Sequence, residues 1–456
     1  MLGMLTKRPD KSLIMALSVF GLGKLGLPLA ALFARSGLQT VGIDIDAVRV
    51  EQLRRGTFAF PEVGLDEIVA DATPLITYTT KAEAASATDA SIILVSTDGR
   101  HPGLSSHQVE NACLDLCAAL RARASWRYHL IAIGSTLMPG TMANVILPLL
   151  ERELGRRAGT DFGVAYVPEF VAQGEIAAGF QSPPLLLIGS DDAAAGAQAA
   201  ELYRRIVAPH VPVRLLSTRD VELSKLASNL FLSMKISFAN SIAQIADKLG
   251  GADLDAIGEA LSFDKRIGTG LLRGGAPYGG PCLPRDVDSF LRLARSLNTD
   301  APLARAAAEV NAFQYDIIEE AVLKCQPRCV AVLGLSFKPG TPVTIGSPAF
   351  EFIRRMGERS IRSVAFDPLV KAREAALATF GDGITCYGSL EECVPHADTI
   401  LICNPDPSFA NLASVVPADR HIVDPWGILG DFHPGLVRPG RTRDGTPALR
   451  AFVCAQ

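Results

Sequence analysis

The stretch from Ala16 to Asp44 constrains this chain more tightly than any other. Ala16 to Phe20 is a short, mostly apolar run of the kind that forms a buried parallel strand. It stops at Gly21-Leu-Gly23-Lys-Leu25-Gly26, after which Leu27 to Ser36 reads as a helix. Gln39-Thr-Val-Gly-Ile-Asp44 then forms a second strand that ends in an acid. Each glycine plays its own part in such a turn. Gly21 makes the tight bend, Gly23 lets a pyrophosphate approach the backbone, and Gly26 lets the helix pack close to the strand. The helix N-terminus supplies N–H donors and a positive dipole end for phosphates. Asp44, eighteen residues beyond Gly26, is placed to accept a ribose 2′-hydroxyl and to repel a 2′-phosphate. The pattern predicts a dinucleotide site for NAD, with Gly21, Gly23, Leu25, Gly26 and Asp44 at the cofactor.

Two more strand ends follow in the same domain. Ser91-Ile-Ile-Leu-Val95 closes on Ser96-Thr97-Asp98-Gly99, and Leu130-Ile-Ala-Ile133 closes on Gly134-Ser135-Thr136. Hydroxyl groups at the carboxyl ends of parallel strands line the crevice where such sheets bind ligands. Ser96, Thr97, Ser135 and Thr136 are therefore expected beside the cofactor, with helix capping as the alternative role for each. Val164 to Val167 reads as another strand, ended by Pro168-Glu169-Phe170. Glu169 is a candidate acid/base group there, or else a solvated loop glutamate.

From Leu216 to Leu249 the chain has no glycine or proline, and apolar residues recur at helical spacing. This predicts one helix of about 40 Å or more, long enough to run between domains and to pair with a copy of itself. Lys225 and Asn229 are four residues apart on it and share a face. Further helices are expected over Leu254–Leu261 and Asp286–Leu297. Between them lies Tyr278-Gly279-Gly-Pro281-Cys282-Leu-Pro-Arg285-Asp286. A thiol on a loop stiffened by proline and flanked by positive charge is where a thiolate becomes a nucleophile. A small, half-buried, inert cysteine is the other reading of the loop taken alone.

The last third repeats the first in altered form. Cys329-Val-Ala-Val-Leu-Gly334-Leu-Ser-Phe-Lys338 resembles the first strand and turn, and Ser363-Val-Ala-Phe-Asp367 resembles the second. Thr399 to Asp406 resembles Ser91 to Asp98. The three-glycine fingerprint is missing, which points to a nucleotide or nucleotide-sugar site and not a second NAD site. The fold class predicted is α/β: two Rossmann-like doubly wound domains joined by a long central helix and a small helical dimerisation domain. The expected division is 1–14 as an N-terminal extension, 15–215 as the NAD-binding domain, 216–322 as helix and dimerisation domain with the cysteine loop, and 323–456 as the sugar-nucleotide domain.

A length of 456 residues allows two or three domains, and a net charge of −4 leaves no basic excess for binding nucleic acid. Lys7, Arg8 and Lys11 before an apolar run imitate an export signal, but the run is short and turns into the glycine fingerprint. No stretch reaches the ~20 uninterrupted apolar residues of a membrane span. The nine cysteines and seven histidines show no zinc spacing, so no metal is expected, and unpaired thiols in a large chain suggest a reducing cytoplasm.

With these blocks in view, the chain resembles the UDP-glucose/GDP-mannose dehydrogenase family, the nucleotide-sugar 6-dehydrogenases, in collinear order from about Ala16 onward. The resemblance rests on Gly21 to Asp44, Ser135 to Thr141, Pro168-Glu169-Phe170, Glu222 to Asn229, Lys235 to Asn240, Asp264-Lys-Arg266-Ile-Gly268 and Gly279 to Asp286. It implies a four-electron oxidation of a sugar C6 hydroxymethyl to a carboxylate by two NAD⁺ in turn, through a thiohemiacetal and a thioester on Cys282. Lys225 and Asn229 would stabilise oxyanions, and Asp286 would position water. Glu169 would act as base and Thr136 would orient a water. Phe170, Gly279 and Lys338 would contact the substrate. Arg266 would reach the sugar across a homodimer interface.

UDP-glucose, giving UDP-glucuronate, is the expected substrate, with GDP-mannose or another activated sugar as the alternative. A catalytically silent nucleotide-binding protein is the alternative of another class. The departures from the family pattern gather in the second half: Pro281 where serine is usual, Val343 and Ile345 for an acid and an arginine, and Trp426 for an arginine. Val167, for an asparagine, is the exception in the first half.

Overall fold

Parallel strands buried on both faces must be apolar along most of their length, and both sheets of this protein follow that rule. The computed structural model describes residues 14–58, 60, 62, 64–97, 103–171, 174–268, 270–429 and 435–441. Of the expected extension over 1–14 only Ile14 is among them, and Asp98 also lies outside. The chain divides into two units, residues 1–228 and 229–456.

In the first unit eight strands form one sheet: β1 (Ala16–Phe20), β2 (Gln39–Ile43), β3 (Ile76–Thr79), β4 (Ala90–Ile93), β5 (Leu130–Ile133), β6 (Gly163–Tyr166), β7 (Leu186–Gly189) and β8 (Val213–Leu216). Their order is β3-β2-β1-β4-β5-β6-β7-β8, and neighbours are parallel except β6 and β7. Leu17 pairs with Thr40 on one side and Ala90 on the other. The order reverses between β1 and β4, which opens a crevice at their carboxyl ends. Along β1, Leu17 and Val19 enter the core on one face and Phe20 the core on the other. Each such side chain, fully buried, contributes about 1.5–3 kcal/mol.

Ser18 breaks the apolar pattern without cost. Its hydroxyl meets Ser91 Oγ at 2.6 Å, and Ser91 meets His129 Nε2 at 2.8 Å. Burial holds His129 well below the usual histidine range, so it stays neutral within this chain of hydrogen bonds. Helix α1 (Gly26–Arg35) follows the glycine turn and is buried along almost its whole length.

Helix α2 (Thr218–Leu249) runs 32 residues and passes through the boundary between the units, as the glycine- and proline-free stretch predicts. The second unit continues with α3 (Leu254–Ser262), α4 (Leu283–Ser296) and α5 (Pro302–Lys324). Leu230 of α2, Val287 of α4 and Ala304 of α5 form their shared apolar contact. Six strands follow: β9 (Cys329–Leu333), β10 (Arg362–Phe366), β11 (Ile384–Cys386), β12 (Thr399–Ile402), β13 (His421–Val423) and β14 (Leu436–Val437). They are all parallel, in the order β11-β10-β9-β12-β13-β14. Counted within its own sheet this is the same 3-2-1-4-5-6 order as the first six strands, so the weak sequence repeat is a repeat of topology. Helix α6 (Pro348–Glu358) covers one face. Among the described residues no helix is long and apolar enough to cross a membrane, and no cluster of ligating side chains could hold a metal ion.

Candidate active site

The three fingerprint glycines meet three different surroundings. Gly21 has φ +90°, and a Cβ there would lie 2.4 Å from the Leu94 carbonyl oxygen. Its N–H donates to Ile43 O at 2.8 Å, which ties the turn to β2. A Cβ on Gly26 would lie 1.8 Å from the Gly21 carbonyl oxygen, so strand and helix could not come this close with any other residue. A Cβ on Gly23 would meet nothing within 4 Å. That open side is where a pyrophosphate fits. Leu25 is the N-cap residue of α1, and no side chain caps the helix start. The uncapped amides suit a phosphate.

Asp44 is 5% exposed. It accepts from Leu22 N at 2.7 Å, Asp46 N at 2.9 Å and Arg49 Nη1 at 2.8 Å. Among the described residues Oδ1 carries only the Asp46 bond and keeps accepting capacity for a ribose hydroxyl. The residues present therefore fit a dinucleotide. Ser135 holds the sheet together: its hydroxyl donates to Val95 O at 2.7 Å and accepts from Val95 N at 2.9 Å, pinning the ends of β4 and β5 to each other. Thr97 is buried and its carbonyl accepts from Ser105 N, whereas Ser96 is exposed. Thr136 is partly buried, beside Leu137, whose N–H donates to the Tyr166 hydroxyl.

Lys225, Glu169 and Phe170 come together in the first unit. Lys225 is 8% exposed, which excludes a solvated surface role. Its Nζ donates to the Glu169 main-chain carbonyl at 2.6 Å and lies 4.7 Å from the centre of the Phe170 ring. Glu169 as a residue is partly accessible, but its Oε1 is sealed from solvent, as is the Tyr203 hydroxyl. Burial pushes the Glu169 carboxyl up to about 8, against the opposing pull of the Lys225 ammonium and the Tyr203 hydroxyl. A carboxylate that titrates near neutrality is suited to proton transfer. One turn before Lys225 on α2, buried Glu222 accepts from Gly140 N at 2.6 Å and Met142 N at 2.8 Å, fixing the segment that follows Thr136.

Cys282, Asp286 and Asn229 belong to the second unit. The sequence predicts a helix from Asp286; it starts instead at Leu283, and Cys282 is its N-cap residue, exposed, with φ −99° and ψ −56°. A thiol at a helix N-terminus has its thiolate stabilised by the dipole. Asp286 is fully buried and donates its N–H to Cys282 O at 2.9 Å. Its carboxylate accepts from Asn229 Nδ2 at 2.5 Å and from Arg285 Nε at 2.9 Å. Asn229 thus gives one amide hydrogen to Asp286 and retains another.

The cysteine segment is seated on the loop after β9. A Cβ on Gly279 would lie 2.3 Å from Gly346 O, and one on Gly280, at φ +79°, would lie 2.5 Å from the Phe337 ring. Lys338, next to Phe337, is partly exposed. Among the departures, Val343 is buried and accepts from Phe337 N, while Ile345 is 68% exposed. Arg266 is exposed and pairs with Asp264, two residues before it, at 2.6 Å. Sequence reasoning missed Tyr203 and assigned no role to Glu222. It also missed Asn311, which clasps Tyr278 through both main-chain groups, at 2.7 and 3.1 Å.

Residues 15–207 match the UDP-glucose/GDP-mannose dehydrogenase family, NAD binding domain. Residues 219–313 match the family's central domain and 331–431 its UDP binding domain. The GDP-mannose 6-dehydrogenase of Azotobacter vinelandii is 32% identical over 430 residues, covering 91% of this chain and 97% of the relative. The UDP-glucose 6-dehydrogenase of Pseudomonas aeruginosa is 32% identical over 402 residues, covering 85% and 87%. The solved structure of a UDP-glucose dehydrogenase from Pyrobaculum islandicum matches with a TM-score of 0.86 and 31% identity, over 94% of this chain and 98% of that one.

Proposed function

The chain belongs to the UDP-glucose/GDP-mannose dehydrogenase family, the NAD-dependent nucleotide-sugar 6-dehydrogenases, and from that premise we propose that it oxidises C6 of UDP-glucose to the carboxylate. The observation that carries the chemistry is Cys282, exposed at the start of α4, one helical turn before a buried Asp286 that is hydrogen-bonded to Asn229. NAD, when bound, supplies the acceptor for one hydride in each of two oxidations.

The chain's own groups do the rest. The Cys282 thiolate adds to the C6 aldehyde, forming a thiohemiacetal, and the second oxidation leaves a thioester on the same sulfur. Water cleaves the thioester, releasing the carboxylic acid and returning the thiol. Lys225 and the remaining Asn229 amide hydrogen stabilise negative charge on the C6 oxygen. Glu169 takes the proton of the attacking water, and Asp286 and Thr136 orient that water. Phe170, Gly279 and Lys338 hold the sugar nucleotide. Gly21, Gly23, Leu25, Gly26 and Asp44 hold the cofactor, flanked by Ser96, Thr97 and Ser135.

We read residues 15–215 as the NAD-binding domain, 216–322 as the helical domain and 323–456 as the sugar-nucleotide domain. Phe231, Phe238 and Ile245, seven residues apart on α2, are 58%, 49% and 62% exposed. Such an apolar stripe suits a second copy of the chain, and exposed Arg266 would then act on the partner's substrate.

UDP-glucose is supported by the Asp264-Lys-Arg266-Ile-Gly268 block and by the fold likeness to the Pyrobaculum enzyme. GDP-mannose is the second reading, favoured by the relative from Azotobacter. The deciding measurement is NADH released per molecule of UDP-glucose or GDP-mannose. Two NADH with the acid as product is the expected yield; one NADH with aldehyde as product overturns the four-electron reading.

A further inference from the structure

The segment that leads to Cys282 is gripped at its root, and one of the groups that grips it comes from the far end of the described chain. Arg441 is 4% exposed. Its guanidinium forms a two-point pair with Asp255 of α3, Nε to Oδ2 at 2.8 Å and Nη2 to Oδ1 at 3.0 Å. The remaining donors go to two main-chain carbonyls from separate loops: Nη2 to Gly274 at 3.2 Å and Nη1 to Pro425 at 3.0 Å. Nη1 also reaches Pro439 O at 3.4 Å.

Gly274 opens the segment that ends at Cys282, and Pro425 lies in the loop after β13. The two loops are pressed together at this point. Gly275 has φ +111°, and a Cβ there would lie 2.0 Å from the Pro425 carbonyl oxygen. The loop after β13 is itself fastened, because the buried Asp424 carboxylate accepts from Trp426 N, Gly427 N and Leu429 N at 2.9–3.1 Å. A doubly wound sheet takes its ligand at the carboxyl ends of its strands. One buried cation therefore joins the ligand end of the second sheet to the loop of the nucleophile. The two-point pair with Asp255 and the two carbonyls take four bonds together, and lysine, with three donors and no planar fork, cannot make them all.

We propose that Arg441 is a positioning residue that couples occupancy of the nucleotide crevice, at the carboxyl ends of β9 and β12 beside β13, to the placement of the Cys282 thiol. The coupling rests on the reading of residues 323–456 as the nucleotide-binding part. A nucleoside diphosphate that moves the Asp424–Trp426 loop must move the Gly274–Gly275 root with it, since both hang from one guanidinium. Without the guanidinium the two loops respond separately.

The test is the rate at which iodoacetamide alkylates Cys282 in the full chain, read by mass spectrometry of its peptide, with and without millimolar UDP and, separately, GDP. Thermal shift records binding of each nucleotide independently. In the unaltered protein the bound nucleotide is expected to change the alkylation rate about fivefold, a coupling of ordinary size. In Arg441→Ala and Arg441→Lys the change should shrink below about twofold while the thermal shift persists. Millimolar guanidinium should restore it in Arg441→Ala, and if that variant does not fold, Arg441→Lys carries the test. Retention of the full nucleotide effect in a folded variant overturns the coupling. So does a thermal shift in the unaltered protein with no change at Cys282. If neither UDP nor GDP shifts the unaltered protein, the nucleotide reading itself fails, and the coupling with it.

Discussion

The two doubly wound halves use the same first turn and put it to different ends. In the first, Gly21 at φ +90° sends its N–H to Ile43 O; in the second, Gly334 at φ +87° sends its N–H to Phe366 O at 2.9 Å. Asp44 accepts from Leu22 N and Asp46 N, and Asp367 likewise accepts from Ser336 N and Leu369 N. Strand order, turn and acid are thus repeated. What surrounds the turn is not. After Gly21 the chain passes open Gly23 and enters an uncapped helix at once. After Gly334 it runs through a loop, and the next helix, α6, is capped by Ser347 Oγ accepting from Ala349 N. The side of Gly334 is filled by Asn404, within 2.5 Å of where a Cβ would stand. A dinucleotide needs open backbone and unmet amides together. The second half has lost both, and its loop serves as the seat of the cysteine segment.

The sharpest division between the halves comes from Cys282→Ser. Acid formation should fall by about 10³-fold or more, as expected for loss of a covalent nucleophile. NAD binding, measured by fluorescence titration, should be unchanged; full turnover would remove the thioester. Next in size are the paired glycine variants. Gly26→Ala forces a Cβ against Gly21 O, 1.8 Å away, and should weaken NAD by about 100-fold while lowering the melting temperature. Gly334→Ala should leave NAD affinity intact and cost nucleotide binding and stability only. If both variants damage NAD binding equally, the division of labour is wrong. Gly23→Ala is milder, since its Cβ meets no protein atom: about tenfold weaker NAD with an unchanged melting temperature.

The smallest effect is on pH dependence. The deprotonated Glu169 carboxylate is the base, so thioester hydrolysis should rise through about pH 8 and lose that limb in Glu169→Gln. For stability the sign is opposite. The folded chain keeps a proton that the unfolded chain releases above its ordinary value of 4.5, so stability declines as pH rises from there to about 8. Denaturant titrations at pH 5 and pH 8 should show that decline reduced in Glu169→Gln.

Much of this was legible from residue order. The turn at Gly21, the acid at Asp44, the long helix and the second copy all depend on neighbours within a few tens of residues. So does the helix face shared by Lys225 and Asn229, whereas the roles expected of them and of Cys282 rest on the resemblance of the whole chain. The roles of Glu222, Tyr203, Asn311 and Arg441 were not legible. Glu222 acts on amides some 80 residues earlier in the chain, and Arg441 on carbonyls as far as 167 residues away. No local pattern encodes such pairings. The start of α4 shows the limit at short range as well: Pro284 is compatible with a helix's first turn, and only the structure put Cys282 at the cap.

By itself, then, the sequence determined where chain chirality, glycine freedom and apolar periodicity act, because those forces work within a turn or a strand. It thereby determined the two sheets and the cofactor turn, and it singled out Cys282 as a candidate nucleophile. Tertiary structure decided which polar groups are buried, and so which carboxyl titrates near neutrality and which side chains hold the loops. Burial and hydrogen-bond partnership are properties of packed neighbours, and those neighbours are brought together only when each sheet packs against its own helices and loops.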